Sequence, residues 1–329
     1  MTAPGPTSAP VLAAPDSFKG TFSAAEVASA LARGLEAGGL PATELPVADG
    51  GEGTMDVLLG ALGGDYRTAE VRDPLGRPVE ARYALLHDGR GVVEMAEASG
   101  LGLVEETERD AFAASTRGTG ELIVAAAEAG ARTVLVTVGG SATTDGGAGA
   151  LAALDEAGVK PKLEVLCDVR TPFELAPRVF APQKGADGDT VKRLELRLAR
   201  LARDAPRDPR GVPMTGAAGG LSGGLWAYRG AKLLPGAPYV LDAVGFDSAM
   251  RESRFVVTGE GRLDEQTLEG KAVGEVATRC RQGGVGCHAV VGEDALDGFL
   301  ERVIDLASVR EAATLAQIEA AGRSLARFS

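Results

Sequence analysis

The sequence predicts an α/β protein with two domains: a discontinuous parallel-sheet domain, and a second α/β domain inserted into it that contains an antiparallel meander. Two observations predict the first domain: apolar segments alternate with helical patterns near both ends of the chain, and glycine-rich loops follow the apolar segments. A third observation, a run of closely spaced extended segments after residue 65, predicts the inserted domain. We place the discontinuous domain at residues 1–65 and 255–329 and the inserted domain at residues 66–254.

Strand, loop and helix alternate at the N-terminus. Ser23, followed three residues later by Glu26, is a capping-box pattern and predicts the start of an Ala/Leu-rich helix. That helix is expected to end at Gly38-Gly39, because glycine commonly terminates helices. The alternation predicts a parallel sheet whose loops gather at the carboxyl ends of its strands. The other elements predicted here are two strands and a helix, at Val11–Ala13, Thr43–Val47 and Thr54–Leu62.

The inserted domain begins with three predicted extended segments. Turn-forming residues separate them, at 73–76 and 87–89, as in an antiparallel meander. A helix, two apolar strands and a highly charged helix with a solvated face follow. The extended segments are Ala69–Arg72, Val79–Leu86 and Gly91–Ala96, and the later elements are Gly120–Ala129, Thr133–Val138, Leu163–Cys167 and Thr190–Arg203.

The end of the chain resumes the alternation of strands and helices. Before it, the glycine-studded segment Gly216–Leu225 indicates tight helix packing or close approach of the backbone to a ligand. Because both ends of the chain show one pattern, we assign them to one discontinuous domain. The C-terminal elements are strands at Arg254–Thr258, Ala289–Val291 and Asp305–Ala307 and helices from about Gly270 to Arg281 and from Glu311 to Arg327.

The net charge and composition of the chain argue against partners such as nucleic acids and membranes. Lys and Arg number 34 against 46 Asp and Glu, a net charge of −12 that would repel nucleic acid and anionic membranes. No apolar run approaches the ~18 residues of a membrane span, so we expect a cytoplasmic protein. The cysteines are odd in number and lack a C-x-x-C spacing, which predicts free thiols; they are Cys167, Cys280 and Cys287.

Glycine accounts for 46 of the 329 residues, about double the usual share of ~7%, and it is concentrated in loops. Four of these loops follow predicted strands and combine glycine with a carboxylate and a nearby cation or hydroxyl. Glycine lets backbone N–H groups converge on an anion such as phosphate. Carboxylates among such groups fit a bridging Mg²⁺ ion or a hydroxyl that loses its proton. The loops therefore predict phosphoryl transfer; they are Ala14–Gly20, Ala48–Gly53, Gly139–Gly147 and Gly259–Asp264.

Other catalytic signatures are absent from the sequence. Neither the P-loop pattern nor the dinucleotide fingerprint G-x-G-x-x-G occurs, which disfavours a P-loop fold and a dinucleotide-binding fold. His87 and His288 lie in no metal-ligand or triad pattern, so we expect structural roles for both. Structural roles for Asp49, as a helix cap, and Lys19, as a solvated loop residue, stay open here. Three alternatives to the hypothesis below also stay open: a kinase of another small hydroxy acid, an NAD(P)-dependent oxidoreductase and a non-catalytic metabolite-binding protein.

Seven motifs along nearly the whole chain resemble, in order, those of the bacterial glycerate kinase family. The resemblance implies ATP-dependent phosphorylation of D-glycerate to a phosphoglycerate, with Mg²⁺. It also implies a Rossmann-like or flavodoxin-like domain interrupted by a second α/β domain. The implied partners are D-glycerate and ATP; the charge and composition predict no nucleic acid or membrane partner, and a homo-oligomer is left open. The motifs are at Ala14–Gly20, Ala48–Thr54, Gly118–Ile123, Gly139–Thr143, Pro182–Ala186, Gly216–Gly220 and Thr258–Asp264.

The same loops supply a hypothesis for the roles of individual residues. Asp49 is the expected general base for the acceptor hydroxyl. Lys19 and Arg262 are expected to neutralise the substrate carboxylate or the transferring phosphoryl group. Glu260 and Asp264 are the candidate Mg²⁺ ligands. The expected substrate- and phosphate-binding residues are Ser17, Gly50, Gly51, Glu52, Gly139, Gly140, Ser141, Thr143 and Lys271.

Overall fold

The computed structural model describes residues 9–265, 267, 271–296 and 303–327, which form two compact units. Unit 1 consists of the described residues within Met1–Asp49 and Ala237–Ser329, and unit 2 is Gly50–Gly236. The predicted fold class is confirmed. One unit is discontinuous and is built on a parallel sheet, and the other is inserted into it and contains an antiparallel meander. The predicted domain boundaries, after residues 65 and 254, stay a prediction.

Strands and helices alternate along most of the chain. No helix in the described ranges is long and apolar enough to cross a membrane. The strands are β1 (Val11–Ala13), β2 (Ala42–Glu44), β3 (Gly64–Arg72), β4 (Pro78–Leu86), β5 (Arg90–Glu94), β6 (Thr133–Thr137), β7 (Lys162–Cys167), β8 (Lys232–Pro235), β9 (Val256–Leu263), β10 (Cys287–Asp294) and β11 (Ser308–Glu311). The α-helices are α1 (Ala24–Ala37), α2 (Thr54–Leu62), α3 (Ala96–Ser99), α4 (Arg117–Glu128), α5 (Ala148–Ala157), α6 (Ala176–Phe180), α7 (Gly188–Asp204), α8 (Ala217–Arg229), α9 (Gly236–Ala243), α10 (Phe246–Arg251), α11 (Ala272–Gly283) and α12 (Leu315–Leu325).

Unit 1 is built on a parallel sheet with the strand order β11-β10-β9-β1-β2. Alternate side chains of β1 enter two different cores. Val11 and Ala13 pack in the core formed with α1 and α12, whereas Leu12 packs in the core formed with α10 and α11. Helices therefore cover both faces of the sheet, as is usual for a parallel sheet.

The order of the strands in unit 1 creates a topological switch point. β1 and β9 are neighbours, but β1 connects onward to β2 on one side and β9 connects to β10 on the other. The loops that leave the carboxyl ends of β1 and β9 therefore diverge and leave a crevice between them. In open α/β sheets this crevice is the usual position of a ligand-binding site.

Unit 2 is built on a six-stranded mixed sheet with the order β3-β4-β5-β6-β7-β8. The pairs β3–β4 and β4–β5 are antiparallel and the later pairs are parallel. Asp73 shapes the β3–β4 turn, since its carboxylate accepts hydrogen bonds from the N–H groups of Leu75 and Arg77. The predicted meander is therefore present, and helices α4, α5 and α8 pack against one face of the sheet.

Glu94, at the end of β5, caps helix α2. Its buried carboxylate accepts hydrogen bonds from the N–H of Met55 at 2.6 Å and from the N–H of Gly53 at 3.3 Å. Gly53 is the N-cap residue of α2 and has no side chain to perform this role. Burial raises the pKa of the Glu94 carboxyl to about 7, because the ionised form is poorly solvated there.

The structure corrects several predicted element positions. The strand predicted at Asp305–Ala307 is wrong: β11 begins at Ser308, and Asp305 has a φ of 65°, which interrupts an extended segment. The last helix begins at Leu315 instead of Glu311, because Thr314 caps it by accepting a hydrogen bond from the N–H of Gln317. The predicted helix start at Gly270 lies outside the described residues, and α11 is described from Ala272.

Replacing Glu94 by alanine is expected to destabilise unit 2 by about 1–3 kcal/mol, because the N–H of Met55 would lose its buried acceptor. Urea unfolding followed by the fluorescence of Trp226, the only tryptophan and a residue of α8, measures this loss. The exposed Glu128→Ala substitution at the end of α4 is the matched control. A Glu94→Ala midpoint equal to that of the wild type would contradict the capping role.

The same carboxyl predicts a dependence of stability on pH. Its folded-state pKa of about 7 lies above the ordinary value of 4.5, so the folded protein holds this proton more tightly than the unfolded chain. The stabilisation is therefore complete below pH 4.5 and is lost as the pH rises through 7. Glu94→Gln keeps an acceptor for the N–H of Met55 and should remove this part of the slope in the same urea measurements.

Candidate active site

A cleft of about 420 Å³ lies at the switch point of unit 1. Its walls come from the loop after β1, from the carboxyl-terminal half of β9 and from β10. The N–H of Asp16 donates to the carbonyl oxygen of Gly259 at 2.8 Å, so the loop after β1 runs alongside β9. The N–H of Val47 donates to the carbonyl oxygen of Pro15 at 3.0 Å, which brings the segment that ends at Asp49 to the same loop.

Glycine allows the segments around this cleft to approach one another. A Cβ atom on Gly259 would lie 2.1 Å from the carbonyl oxygen of Val290, and a Cβ on Gly292 would lie 2.5 Å from that of Gly261. Both distances are far below a van der Waals contact, so β9 and β10 tolerate no larger residue at these positions. Glycine at these two positions therefore sets the spacing of β9 and β10 beside the cleft.

Three carboxylates are buried together in unit 1. Asp16 is 4% exposed, Asp49 1% and Glu260 8%. Burial raises the pKa of Asp16 well above its ordinary value; the negative charges of Asp49 and, to a smaller extent, Glu260 raise it further. The three carboxyl groups therefore interact electrostatically, and added positive charge would stabilise their ionised forms.

Lys19 supplies part of that positive charge. Its Nζ donates to Oδ2 of Asp49 at 2.9 Å, and its side chain is 49% exposed. The ammonium lowers the pKa of Asp16 as well, which opposes the effect of burial. Ser17 completes this loop: its N–H donates to Oδ1 of Asp16 at 2.6 Å, and the residue lines the cleft.

Lys271 stands beside the two predicted metal ligands. Its Nζ lies 3.8 Å from Oε2 of Glu260 and 3.6 Å from Oδ1 of Asp264. The hydroxyl of Thr267 donates to Oε1 of Glu260 at 2.8 Å. Burial raises the pKa of Glu260 to about 7, although Lys271 and Thr267 both act to lower it. Arg262 is more exposed and pairs with Asp264 at 3.7 Å.

Glu260 and Asp264 supply carboxylate oxygens, which are the donor type that Mg²⁺ prefers. Within the described ranges, no group of three or more His, Cys, Asp or Glu residues is arranged to hold a metal ion. Mg²⁺ in phosphoryl-transfer sites commonly takes only one or two carboxylates and completes its shell with phosphate oxygens and water. Asp16 and Glu260 have the raised pKa values expected of buried carboxylates with too little neighbouring positive charge.

A second cavity, of about 230 Å³, lies in unit 2 at the loop after β6. Its lining includes Gly139, Gly140 and Ser141. A Cβ on Gly139 would lie 2.6 Å from the Cα of Gly51, and a Cβ on Gly140 would overlap the carboxylate of Glu52. Two of the predicted phosphate-binding loops are therefore in direct contact within unit 2.

The predicted site residues form two groups, one in each unit. Gly50 packs against Leu166 and Gly236, close to the ends of β7 and β8. Thr143 is buried, and its carbonyl oxygen accepts a hydrogen bond from Nζ of Lys184, a residue that lines the second cavity. The roles assigned to all these residues stay predictions. Unit 1 contains Ser17, Lys19, Asp49, Glu260, Arg262, Asp264 and Lys271; unit 2 contains Gly50, Gly51, Glu52, Gly139, Gly140, Ser141 and Thr143.

Comparisons with known proteins agree with the resemblance of the motifs. The sequence profile of the glycerate kinase family matches residues 11–160 and 154–318. The chain belongs to the glycerate kinase family. It is 37% identical to a glycerate kinase of Halalkalibacterium halodurans over 90% of this chain and 89% of that protein. It is 38% identical to a glycerate 2-kinase of Escherichia coli over 79% of both chains.

A solved structure supports the same assignment of fold. The structure assigned as glycerate kinase 2 from Salmonella typhimurium LT2 superimposes with a TM-score of 0.82 at 32% sequence identity. The match covers 98% of both chains. The two-unit α/β architecture of this glycerate kinase family member is therefore shared with a solved relative.

Sequence reasoning gave no role to two residues that the structure makes conspicuous. Asp16 and Lys184 both lie in family motifs, yet neither was singled out. Their common feature is burial: Lys184 is 1% exposed, although lysine is almost never fully buried without a partner. The available signal was position, since Asp16 directly precedes Ser17 in the loop after β1 and Lys184 precedes a glycine.

Replacing Lys271 by methionine is expected to raise the pKa of Glu260 above its present value of about 7, because the nearby ammonium stabilises the ionised carboxylate. The ¹³C chemical shift of the Glu260 carboxyl, assigned by comparison with a Glu260→Gln spectrum, reports this change in a pH titration. The exposed Lys162→Met substitution in unit 2, beside Glu164, should leave the titration unchanged. An identical titration in Lys271→Met would show that the two groups do not interact.

Proposed function

We propose that this protein is an ATP-dependent glycerate kinase, which transfers the terminal phosphoryl group of ATP to a hydroxyl of D-glycerate and releases phosphoglycerate and ADP. One observation carries the proposal: three buried carboxylates and two lysines meet at the switch point of a glycerate kinase family member. Phosphoryl transfer depends mainly on positioning and on charge stabilisation, and this cluster supplies groups for both. Because ATP is the proposed co-substrate, we propose the cytoplasm as its compartment.

Asp49 is the proposed general base. The hydroxyl of glycerate has a pKa far above neutrality, so its attack benefits from a carboxylate within hydrogen-bond reach. Lys19 holds the Asp49 carboxylate at 2.9 Å and thereby fixes its orientation. Asp16 lies beside it, and the negative charge of Asp49 adds to burial in raising the pKa of the Asp16 carboxyl. In this proposal Asp49 accepts the proton of the hydroxyl in a buried position beside Asp16.

Cationic side chains neutralise the charge that the reactants bring. Lys19 and Lys271 are both within 4 Å of carboxylates, and Arg262 is exposed at the edge of the same cleft. Phosphate oxygens or the glycerate carboxylate can accept hydrogen bonds from these groups. Lys271 is buried more deeply than Lys19, so its ammonium is the less screened of the two.

Glu260 and Asp264 are the proposed Mg²⁺ ligands. Both carboxylates lie within 4 Å of Lys271, which lines the cleft of unit 1 together with Glu260, and the hydroxyl of Thr267 donates a hydrogen bond to Glu260. When bound with the nucleotide, Mg²⁺ would offset the negative charge of the phosphates.

Backbone and hydroxyl donors are proposed to orient the reactants. The loop after β6 presents Ser141 and its flanking glycines to the cavity of unit 2, where the absence of side chains lets a ligand approach the backbone. Ser17 contributes a hydroxyl in unit 1. The proposed binding residues in unit 2 are Gly50, Gly51, Glu52, Gly139, Gly140, Ser141 and Thr143.

The purified protein is expected to release ADP when D-glycerate and ATP are supplied with Mg²⁺, and removal of the metal with EDTA should slow release by at least about tenfold. A coupled ADP-release assay measures the rate, and phosphorus NMR identifies the phosphoglycerate. Glycolate, lactate and tartrate in place of D-glycerate test specificity among small hydroxy acids. Absence of ADP release from a folded sample with D-glycerate would overturn the proposed function.

Asp49→Asn is expected to lower kcat by on the order of 10²-fold or more, because an amide cannot accept the hydroxyl proton. Asp16→Asn, measured in parallel, should have a smaller effect and shift the acidic limb of the pH–rate profile, since its charge influences the base. Asp155→Asn on the exposed surface of α5 is the matched control. Turnover close to that of the wild type in Asp49→Asn would remove Asp49 from this role.

A further inference from the structure

Lys184 is a buried cation in unit 2 that forms no ion pair within the described part of the chain. It ends the short 3-10 turn Pro182–Lys184. Its Nζ donates to Oγ of Ser141 at 2.7 Å and to the carbonyl oxygen of Thr143 at 2.6 Å. Both acceptors are uncharged, and an ammonium has three N–H donors, so one donor is left for another group.

Burial without a counter-charge is unfavourable for an ammonium. Burial lowers the pKa of Lys184 from its ordinary value of 10.5 to about 7, and the negative charge of Asp145 opposes this only in part. Asp145 already accepts hydrogen bonds from Thr116, Gly147 and Gly149. The fold thus holds Lys184 in a position where additional negative charge would be stabilising.

The position of Lys184 shows where that charge can come from. Lys184 lines the second cavity together with Ser141 and the two glycines before it. The carboxylates near this region are Asp145, from the loop after β6, Asp168, which follows β7 and lines the cavity, and Glu52, which packs against Gly140. One cationic residue is close as well: the carbonyl oxygen and the Cβ of Arg109 lie beside Gly185. The other neighbours are uncharged; they include Leu101, Val138, Phe180, Gln183 and Ala218.

We propose that the Lys184 ammonium and the Ser141 hydroxyl bind an anionic oxygen of a reactant, either the carboxylate of the acceptor acid or a phosphoryl oxygen of the nucleotide. The inference rests on the proposed function and assigns a residue to it that the sequence left without a role. A carboxylate or phosphoryl oxygen would accept the remaining N–H of Lys184 in a charge-assisted hydrogen bond. The anion would also supply the missing negative charge.

This arrangement has a consequence that a purely structural lysine would lack. An anion next to the ammonium favours its protonated form, so binding should draw a proton from the solvent above pH 7. The affinity for that anion should accordingly fall by up to about tenfold for each pH unit above the pKa of the free site. If Lys184 only donated hydrogen bonds to Ser141 and Thr143, ligand binding would not change its protonation. Binding would then take up no proton at this residue.

The test is isothermal titration calorimetry of the full-length protein with D-glycerate and, separately, with ATP, at pH 6.5 and 8.5. Measurements in buffers of different ionisation enthalpy give the number of protons taken up. Lys184→Met, which keeps the length and removes the charge, is compared with Lys192→Met on the exposed face of α7. Circular dichroism and the fluorescence of Trp226 establish that each variant is folded.

We expect Lys184→Met to weaken one of the two ligands by at least about tenfold at pH 6.5 and to abolish its proton uptake, with Lys192→Met unchanged. Weakened glycerate binding identifies the carboxylate as the bound anion, and weakened ATP binding identifies a phosphoryl oxygen. The inference is overturned if Lys184→Met binds both ligands as the wild type does. It is also overturned if wild-type binding takes up no proton at pH 8.5, a result that needs no variant.

The outcome is separable from the proposed function. ADP release by the wild type tests the function alone, whereas the affinity difference between wild type and Lys184→Met tests the inference. A wild type that turns over glycerate beside a Lys184→Met variant of unchanged affinity would retain the function and reject the inference.

Discussion

The burial of several carboxylates at one edge of a parallel sheet is the constraint on which the candidate site depends. Asp16, Asp49 and Glu260 repel one another in a region of low polarity, and ionised groups are unfavourable there unless positive charge is close. Lys19 and Lys271 provide some of it. A ligand that brings further positive charge, such as the proposed Mg²⁺ ion, would stabilise the ionised carboxylates.

Glycine makes this concentration of charge sterically feasible. The strands β9 and β10 approach so closely that Gly259 and Gly292 have no room for a Cβ atom. In unit 2 the same requirement holds for Gly139 and Gly140, which pack against the backbone and the carboxylate of the segment Gly51–Glu52. These four positions require glycine because the segments around them pass within van der Waals distance of one another.

Much of the fold was predictable because it depends on local patterns. The alternation of apolar segments and helices identified the parallel sheet, and the turn residues near Asp73 identified the meander. The strand near Asp305 was misplaced, because a positive φ at a non-glycine residue leaves little trace in a hydropathy pattern. Glu94 escaped notice for another reason, since its partners Gly53 and Met55 are distant in sequence.

Only some residues of the candidate site could be proposed from the sequence. The glycine loops and their carboxylates pointed to Asp49 and Glu260, because residue type and spacing carry chemical information. The burial of Asp16 and Lys184 depends on how loops that are far apart in sequence fold over one another, and composition does not encode it. Whether a buried charged group has an oppositely charged neighbour depends on the folded structure, so the sequence alone does not show it.

The cap on α2 connects strand β5 to the glycine-rich loop that precedes the helix. Glu94 belongs to β5, and its carboxylate fixes the N–H groups of Gly53 and Met55, immediately after the segment Gly50–Glu52. Glycine-rich segments normally lose much conformational entropy when a ligand immobilises them. Here part of that ordering is achieved when the protein folds, because Glu94 already holds the two N–H groups that follow the segment. A ligand that contacted this segment would therefore lose less of its binding free energy to backbone ordering.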